Sequence, residues 1–193
     1  MPRETPTGSV RGEPVEPRVN CCSRPSTSSG RTGGLGCPVR FLNWLLLAAV
    51  VIVLDQASKA WVLASIPQNG GIALTDFFNL VFVFNRGAAF SFLSGADGWQ
   101  RWFFLALAIG ISAWIVWMLR EHAAERLQPA ALALILGGAI GNAVDRMHHG
   151  AVVDFLDFHY AGWHFWAFNV ADSAISVGVA LLLLHQLMRK EAS

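Results

Sequence analysis

Apolar residues gather along this chain into four long runs separated by polar connections. The first begins abruptly at Phe41: between Phe41 and Leu54 only Asn43 is strongly polar, and the apolar texture continues through Ala64. The second runs from Trp102 to Leu119 and the third from about Leu127 to Val144, each 18 residues without a charge. The fourth covers about Ala171 to Met188, interrupted only by Asp172 at its start and by His185 and Gln186 near its end. A helix needs about 20 apolar residues to cross a bilayer, so the pattern predicts four transmembrane helices. Buried helices of a large soluble protein look similar singly, but four of them in 193 residues leave no soluble shell to bury them.

Two connections on one side of the membrane are substantial. FFNLVFVF at 77–84 is aromatic and β-branched, and with AAFSFL at 88–93 across the turn Asn85-Arg86-Gly87 it predicts a short β-hairpin. The other connection, 145–169, is rich in Asp, His and aromatics. In the third run GGAIG at 137–141 sets small residues four apart, which lets a neighbouring helix approach closely. The predicted fold class is a membrane all-α core of four transmembrane helices with a small β element, at about 70–94, on one face.

Residues 1–38 differ in kind. They are rich in Pro, Gly, Ser, Thr and Arg, with too few apolar groups to offset the entropy of ordering, and they read as a disordered N-terminal extension to a membrane domain at 39–190. The segment lacks the apolar centre of a secretory signal peptide. An upstream start codon taken in place of a non-Met start near Leu35 or Val39 is the alternative, since the next Met is Met118. The three cysteines, at 21, 22 and 37, all lie in this segment and supply no disulfide framework or metal site to the rest of the chain.

Composition sharpens this picture. Only 14% of residues are charged and 54% are hydrophobic, against roughly 25% charged in an average soluble domain. A net charge of +1 leaves no excess of Lys and Arg to replace phosphate counterions, which excludes a nucleic-acid binder that works through bulk positive charge, and no nucleic-acid partner is expected. Lys and Arg flank the spans unevenly: Arg40, Arg120, Arg126, Arg189 and Lys190 lie with the head segment on one side, against Lys59, Arg86, Arg101 and Arg146 on the other. Both termini are therefore predicted to be cytoplasmic. All six Glu fall on that cytoplasmic side, while all seven Asp lie at or beyond the outer surface.

An ionisable side chain in a span costs roughly 2.5–3.5 kcal/mol on insertion scales, so each demands a reason. Asp55 and Lys59, spaced i, i+4, share a helical face and either anchor the helix end as an ion pair or orient a substrate headgroup or loop. Asn142, Asp145 and Arg146 close the third span; a polar cap with an internal salt bridge is the plain reading. Asp154 lies in the strand-like VVDFLDF, and Asp172 lies in FNVADSAIS, where a helix N-cap is the plain reading. The two are 18 residues apart, joined by a connection able to fold back and bring them to one depth. Two carboxyl groups in hydrogen-bond reach share one proton near neutral pH, an arrangement suited to peptide hydrolysis: the ionised one takes a proton from water and the protonated one polarises the carbonyl. His148, His149, His159 and His164 beside Asp154 and Asp157 lack the spacing of zinc ligands.

Four blocks, LDQASKAWV at 54–62, FNRGAAFSFL at 84–93, GGAIGNAVDRMHHGAVVDF at 137–155 and FNVADSAI at 168–175, resemble the boxes of the bacterial lipoprotein signal peptidases, or signal peptidase II. The resemblance covers 41–190. It implies an intramembrane aspartic endopeptidase of the inner membrane, with four helices, a small periplasmic β-cradle and a short helix lying over the site. It implies a diacylglyceryl-modified prolipoprotein as substrate, cut just before the lipidated Cys, and membrane lipid around a monomer. By the same resemblance the catalytic pair falls on Asp154 and Asp172, and the supporting polar residues fall on Asp55, Lys59, Asn85, Gly87, Asn142, Asp145, Arg146 and Asn169. It further implies no metal or other cofactor, and inhibition by the antibiotic globomycin. Asn85 and Gly87 then become candidates for contacting the substrate backbone, with Gly87 free to adopt φ > 0. A small proton-coupled transporter using Asp55, Lys59 and Asp172 as a relay is the alternative; against it, the ionisable groups cluster at span ends and no internal repeat is visible.

Overall fold

The computed structural model describes residues 38–87 and 98–191. Four helices carry the apolar runs: α1 (Pro38–Ser65), α2 (Trp99–His122), α3 (Leu127–His149) and α4 (Val170–Glu191). Each has a stretch long and apolar enough to cross a membrane. The ends are set by local chemistry. Pro67 follows α1, where a ring in place of an N–H cannot extend the helix. Gly150 closes α3 in the left-handed region at φ 72°, its N–H donating to the Arg146 carbonyl.

The four helices are not equivalent. In its membrane-length window 56% of α3 is buried, against 11% of α2 and 17% each of α1 and α4. Thus α3 is the axis on which the others pack. Apolar side chains gain nothing by leaving lipid for one another, so close packing between small residues must hold the helices. GGAIG performs that role against two neighbours at once. A Cβ on Gly137 would lie 2.7 Å from Val51 of α1, one on Gly138 would collide with the Ala171 carbonyl of α4, and one on Gly141 would lie 2.6 Å from Asp55 Oδ2. Far from the sheet, Ala48, Ile115, Leu119, Leu132, Ala133 and Leu136 form an apolar core shared by α1, α2 and α3.

At the other end sits an antiparallel sheet of order β1-β2-β3-β4: β1 (Gly71–Thr75), β2 (Phe78–Asn85), β3 (Val152–Tyr160) and β4 (Trp163–His164). The strand expected at 77–84 is present as β2, but among the described residues its partners are β1 and β3. The second arm expected at 88–93 and all of the expected extension 1–38 except Pro38, which opens α1, lie outside the described residues; among the described residues there is no short helix besides α1–α4. Val62 and Ile66 of α1 pack with Phe82, Val153 and Phe155, which fastens the sheet to the bundle. A register shift between Leu80 and Val83 leaves Asp154 opposite Val83 and Asn85 opposite Val152. Asn85 and Asp154 are therefore diagonal neighbours on one face, within side-chain reach.

Candidate active site

The site begins with a buried cation. Lys59, one turn after Asp55 on α1, lies 2.8 Å from Asp55 Oδ2 and 2.8 Å from Asp145 Oδ2 on α3, and all three side chains are buried. The remaining acceptors are filled. Asp55 Oδ1 accepts the Ala171 N–H at 2.9 Å; Asp145 accepts the Val153 N–H at 3.1 Å and Gln56 Nε2 at 2.9 Å. Buried charges persist only when paired and hydrogen-bonded in this way, and the cluster ties α1, α3, β3 and the start of α4 together.

Lys59 also donates to Asn142 Oδ1 at 3.1 Å. With its oxygen so engaged, the Asn142 amide turns its nitrogen outward and donates to Asp172 Oδ1 at 2.8 Å. The cap of α4 is Asn169, whose Oδ1 accepts the Asp172 N–H at 2.9 Å. The capping reading of Asp172 is thus corrected: an Asn three residues earlier performs it, and the Asp172 carboxylate turns to Asn142. Asn169 Nδ2 donates to Asp154 Oδ1 at 2.7 Å, and Asn85 Nδ2 donates to Asp154 Oδ2 at 3.0 Å.

Burial, and next the charge of Asp172, push the Asp154 carboxyl up to about 7, against the opposing pull of its Asn85 and Asn169 hydrogen bonds and of Lys59. Both aspartates line a cavity of about 760 Å³ whose other walls include Val83, Phe84, Phe168, Ile175 and Val177. The two carboxyl groups thus open onto one cavity whose walls are largely apolar.

The profile of the family described as signal peptidase (SPase) II matches residues 47–188. The chain belongs to the signal peptidase II family. Lipoprotein signal peptidases of Burkholderia vietnamiensis and of an Azoarcus species are 56% and 59% identical to it, over 76% and 77% of this chain and 88% and 85% of those proteins. A bacterial membrane enzyme solved by the in meso method at 2.3 Å resolution superposes with a TM-score of 0.71 at 30% identity, over 78% of this chain and 91% of that one. Membership in signal peptidase II makes the chain an aspartic peptidase and decides against the transporter alternative.

All ten polar residues that the family resemblance singles out meet in one hydrogen-bonded network. Gly87 enters through its backbone, with its N–H donating to Asn85 Oδ1 at 3.0 Å and its carbonyl accepting Arg146 Nη2 at 3.3 Å. The salt bridge expected between Asp145 and Arg146 is corrected. Adjacent helical residues point about 100° apart, so Asp145 turns inward to Lys59 while Arg146 donates to the carbonyls of Asn142 and Gly87. Of the histidines, His164 pairs with Asp157 at 2.9 Å and stacks on His159. Among the described residues no three His, Cys, Asp or Glu side chains are grouped as metal ligands. Sequence reasoning missed Gln56, which bridges Asp55, the Gly141 carbonyl and Asp145. Its signal was an uncharged amide inside a span beside a buried acid.

Proposed function

We propose that the chain removes signal peptides from diacylglyceryl-modified prolipoproteins, cleaving just before the lipidated Cys, with Asp154 and Asp172 as the catalytic pair. The observation that carries this reading is the convergence of these two aspartates, each held by side-chain amides rather than by a cation, on one apolar cavity. With one proton on the pair, the ionised member takes a proton from water as the water oxygen bonds to the scissile carbonyl carbon. The protonated member donates a hydrogen bond to the carbonyl oxygen. Collapse of the tetrahedral adduct breaks the C–N bond, and a carboxyl proton passes to the leaving amine. Apolar walls suit acyl chains arriving sideways from the bilayer.

The same reading places the sheet and the aspartates at the periplasmic face of the inner membrane, with both termini cytoplasmic, in accord with the Lys and Arg bias of the flanks. Residues 39–190 form the peptidase domain, which acts as a monomer, and 1–38 are an extension outside it. The test is processing of a lipidated prolipoprotein by purified protein in detergent. Asp154→Asn and Asp172→Asn are each expected to abolish cleavage while the protein still folds; near wild-type turnover in either variant would remove that residue from the pair.

A further inference from the structure

Helix α2 meets the site through an aromatic ring. Arg146 has no carboxylate partner in salt-bridge range among the described residues. Its two hydrogen bonds, to the Asn142 and Gly87 carbonyls, are both 3.3 Å, long for N–H donors. A ring also faces the guanidinium: Arg146 Cζ lies 5.0 Å from the centroid of Phe104 on α2. Phe104 is itself braced edge-on by Phe103 at 5.4 Å. A half-buried guanidinium near lipid, short of hydrogen-bond acceptors, is where an aromatic face counts most.

The consequence runs along a short relay. Arg146 holds the Gly87 carbonyl; the Gly87 N–H holds Asn85 Oδ1 at 3.0 Å; that bond sets which way the Asn85 amide faces, so its nitrogen meets Asp154 at 3.0 Å. We propose that Phe104 is a positioning residue of the peptidase site: its ring face holds Arg146 so that Arg146 clamps the 85–87 turn and aims Asn85 at Asp154. The inference rests on the reading of Asp154 as catalytic.

The experiment compares Phe104→Leu, which keeps an apolar side chain of similar bulk, with Phe104→Tyr, which keeps the ring face, in the prolipoprotein-processing assay. Phe104→Leu is expected to lower kcat about tenfold with KM changed less than about twofold, and Phe104→Tyr to stay within about twofold of wild type. Wild-type kcat in Phe104→Leu, or equal slowing in both variants, would overturn the proposal. A second measurement is a mutant cycle of Phe104→Leu and Arg146→Gln on unfolding stability. Coupling between the two is expected, and simple additivity would also overturn the proposal. Asp154→Asn in the same assay keeps the two claims apart: turnover in that variant defeats the catalytic reading, whereas a failed Phe104 series defeats only the positioning role.

Discussion

Two pairs of carboxylates, buried except for the half-buried Asp172, lie where the bundle meets the sheet, and their surroundings differ in one respect. Asp55 and Asp145 share the ammonium of Lys59, and each also accepts a backbone N–H. Asp154 and Asp172 accept from neutral side-chain amides, of Asn85, Asn169 and Asn142, and among the described residues no cation lies in salt-bridge range of either. The first pair has its charge balanced at contact distance, and it serves as a staple between helices. Without such a cation at contact distance, burial and the charge of Asp172 push the Asp154 carboxyl up to about 7. On the proposed reading, the same residue type is structural in one place and reactive close by because of what faces it. Asn142 joins the two, taking Lys59 on its oxygen and giving its nitrogen to Asp172.

Breaking each pair should therefore have opposite consequences. Removing a charge from the amide-held pair should cost activity and not the fold: Asp172→Asn is expected to lower turnover by at least about a thousandfold, with the unfolding midpoint retained. Removing the cation from the other pair should cost the fold. Lys59→Met leaves two buried carboxylates without their partner, an expected loss of about 3–5 kcal/mol, seen as a large fall in unfolding midpoint or in folded yield. Arg146→Ala should act between these extremes, lowering rate or stability through loss of its Gly87 and Asn142 contacts; an unchanged rate together with an unchanged midpoint would contradict it.

The pH dependence sharpens the contrast. A carboxyl raised on folding contributes its stability below its ordinary value, near 4, and loses it as pH rises through the folded value; for Asp154 that window ends at about 7. Asp154→Asn never ionises. Its unfolding midpoint should match wild type near about pH 4 and exceed it by a few degrees near about pH 8. A difference that stays flat with pH would show that Asp154 is not raised. The smallest effect belongs to His164→Ala. Its pairing with Asp157 involves a side chain that is 57% exposed, and exposed pairs are worth about 0–1 kcal/mol.

Much of this was legible in the chain, and the failures have definite causes. Run length gave four spans because lipid imposes one length on every crossing helix. The i, i+4 spacing gave the Asp55–Lys59 contact, but the third member, Asp145, comes from another helix, and no local spacing encodes that meeting. Local reasoning joined Asp145 to Arg146 because they are neighbours in sequence; on a helix, neighbours diverge. The aromatic run at 77–84 announced β2 without naming its partner, since alternation fixes which face a residue takes and leaves pairing to the tertiary fold. In the sequence Asp172 reads as the N-cap of α4 although Asn169 performs it, and the second task of Asn169, holding Asp154 of β3, depends on where the sheet lands. Phe104 carried no signal at all: an aromatic residue in an apolar span looks like every other until the guanidinium opposite it is seen.

The central claim is the proposed sharing of one proton by Asp154 and Asp172, and infrared spectroscopy of the purified protein near neutral pH reads this directly through the carbonyl stretch of a protonated carboxyl group. The account predicts such a band in wild type, its loss in Asp154→Asn and Asp172→Asn, and its persistence in Asp55→Asn. A band that survives in Asp154→Asn and Asp172→Asn, or that disappears in Asp55→Asn, would contradict it.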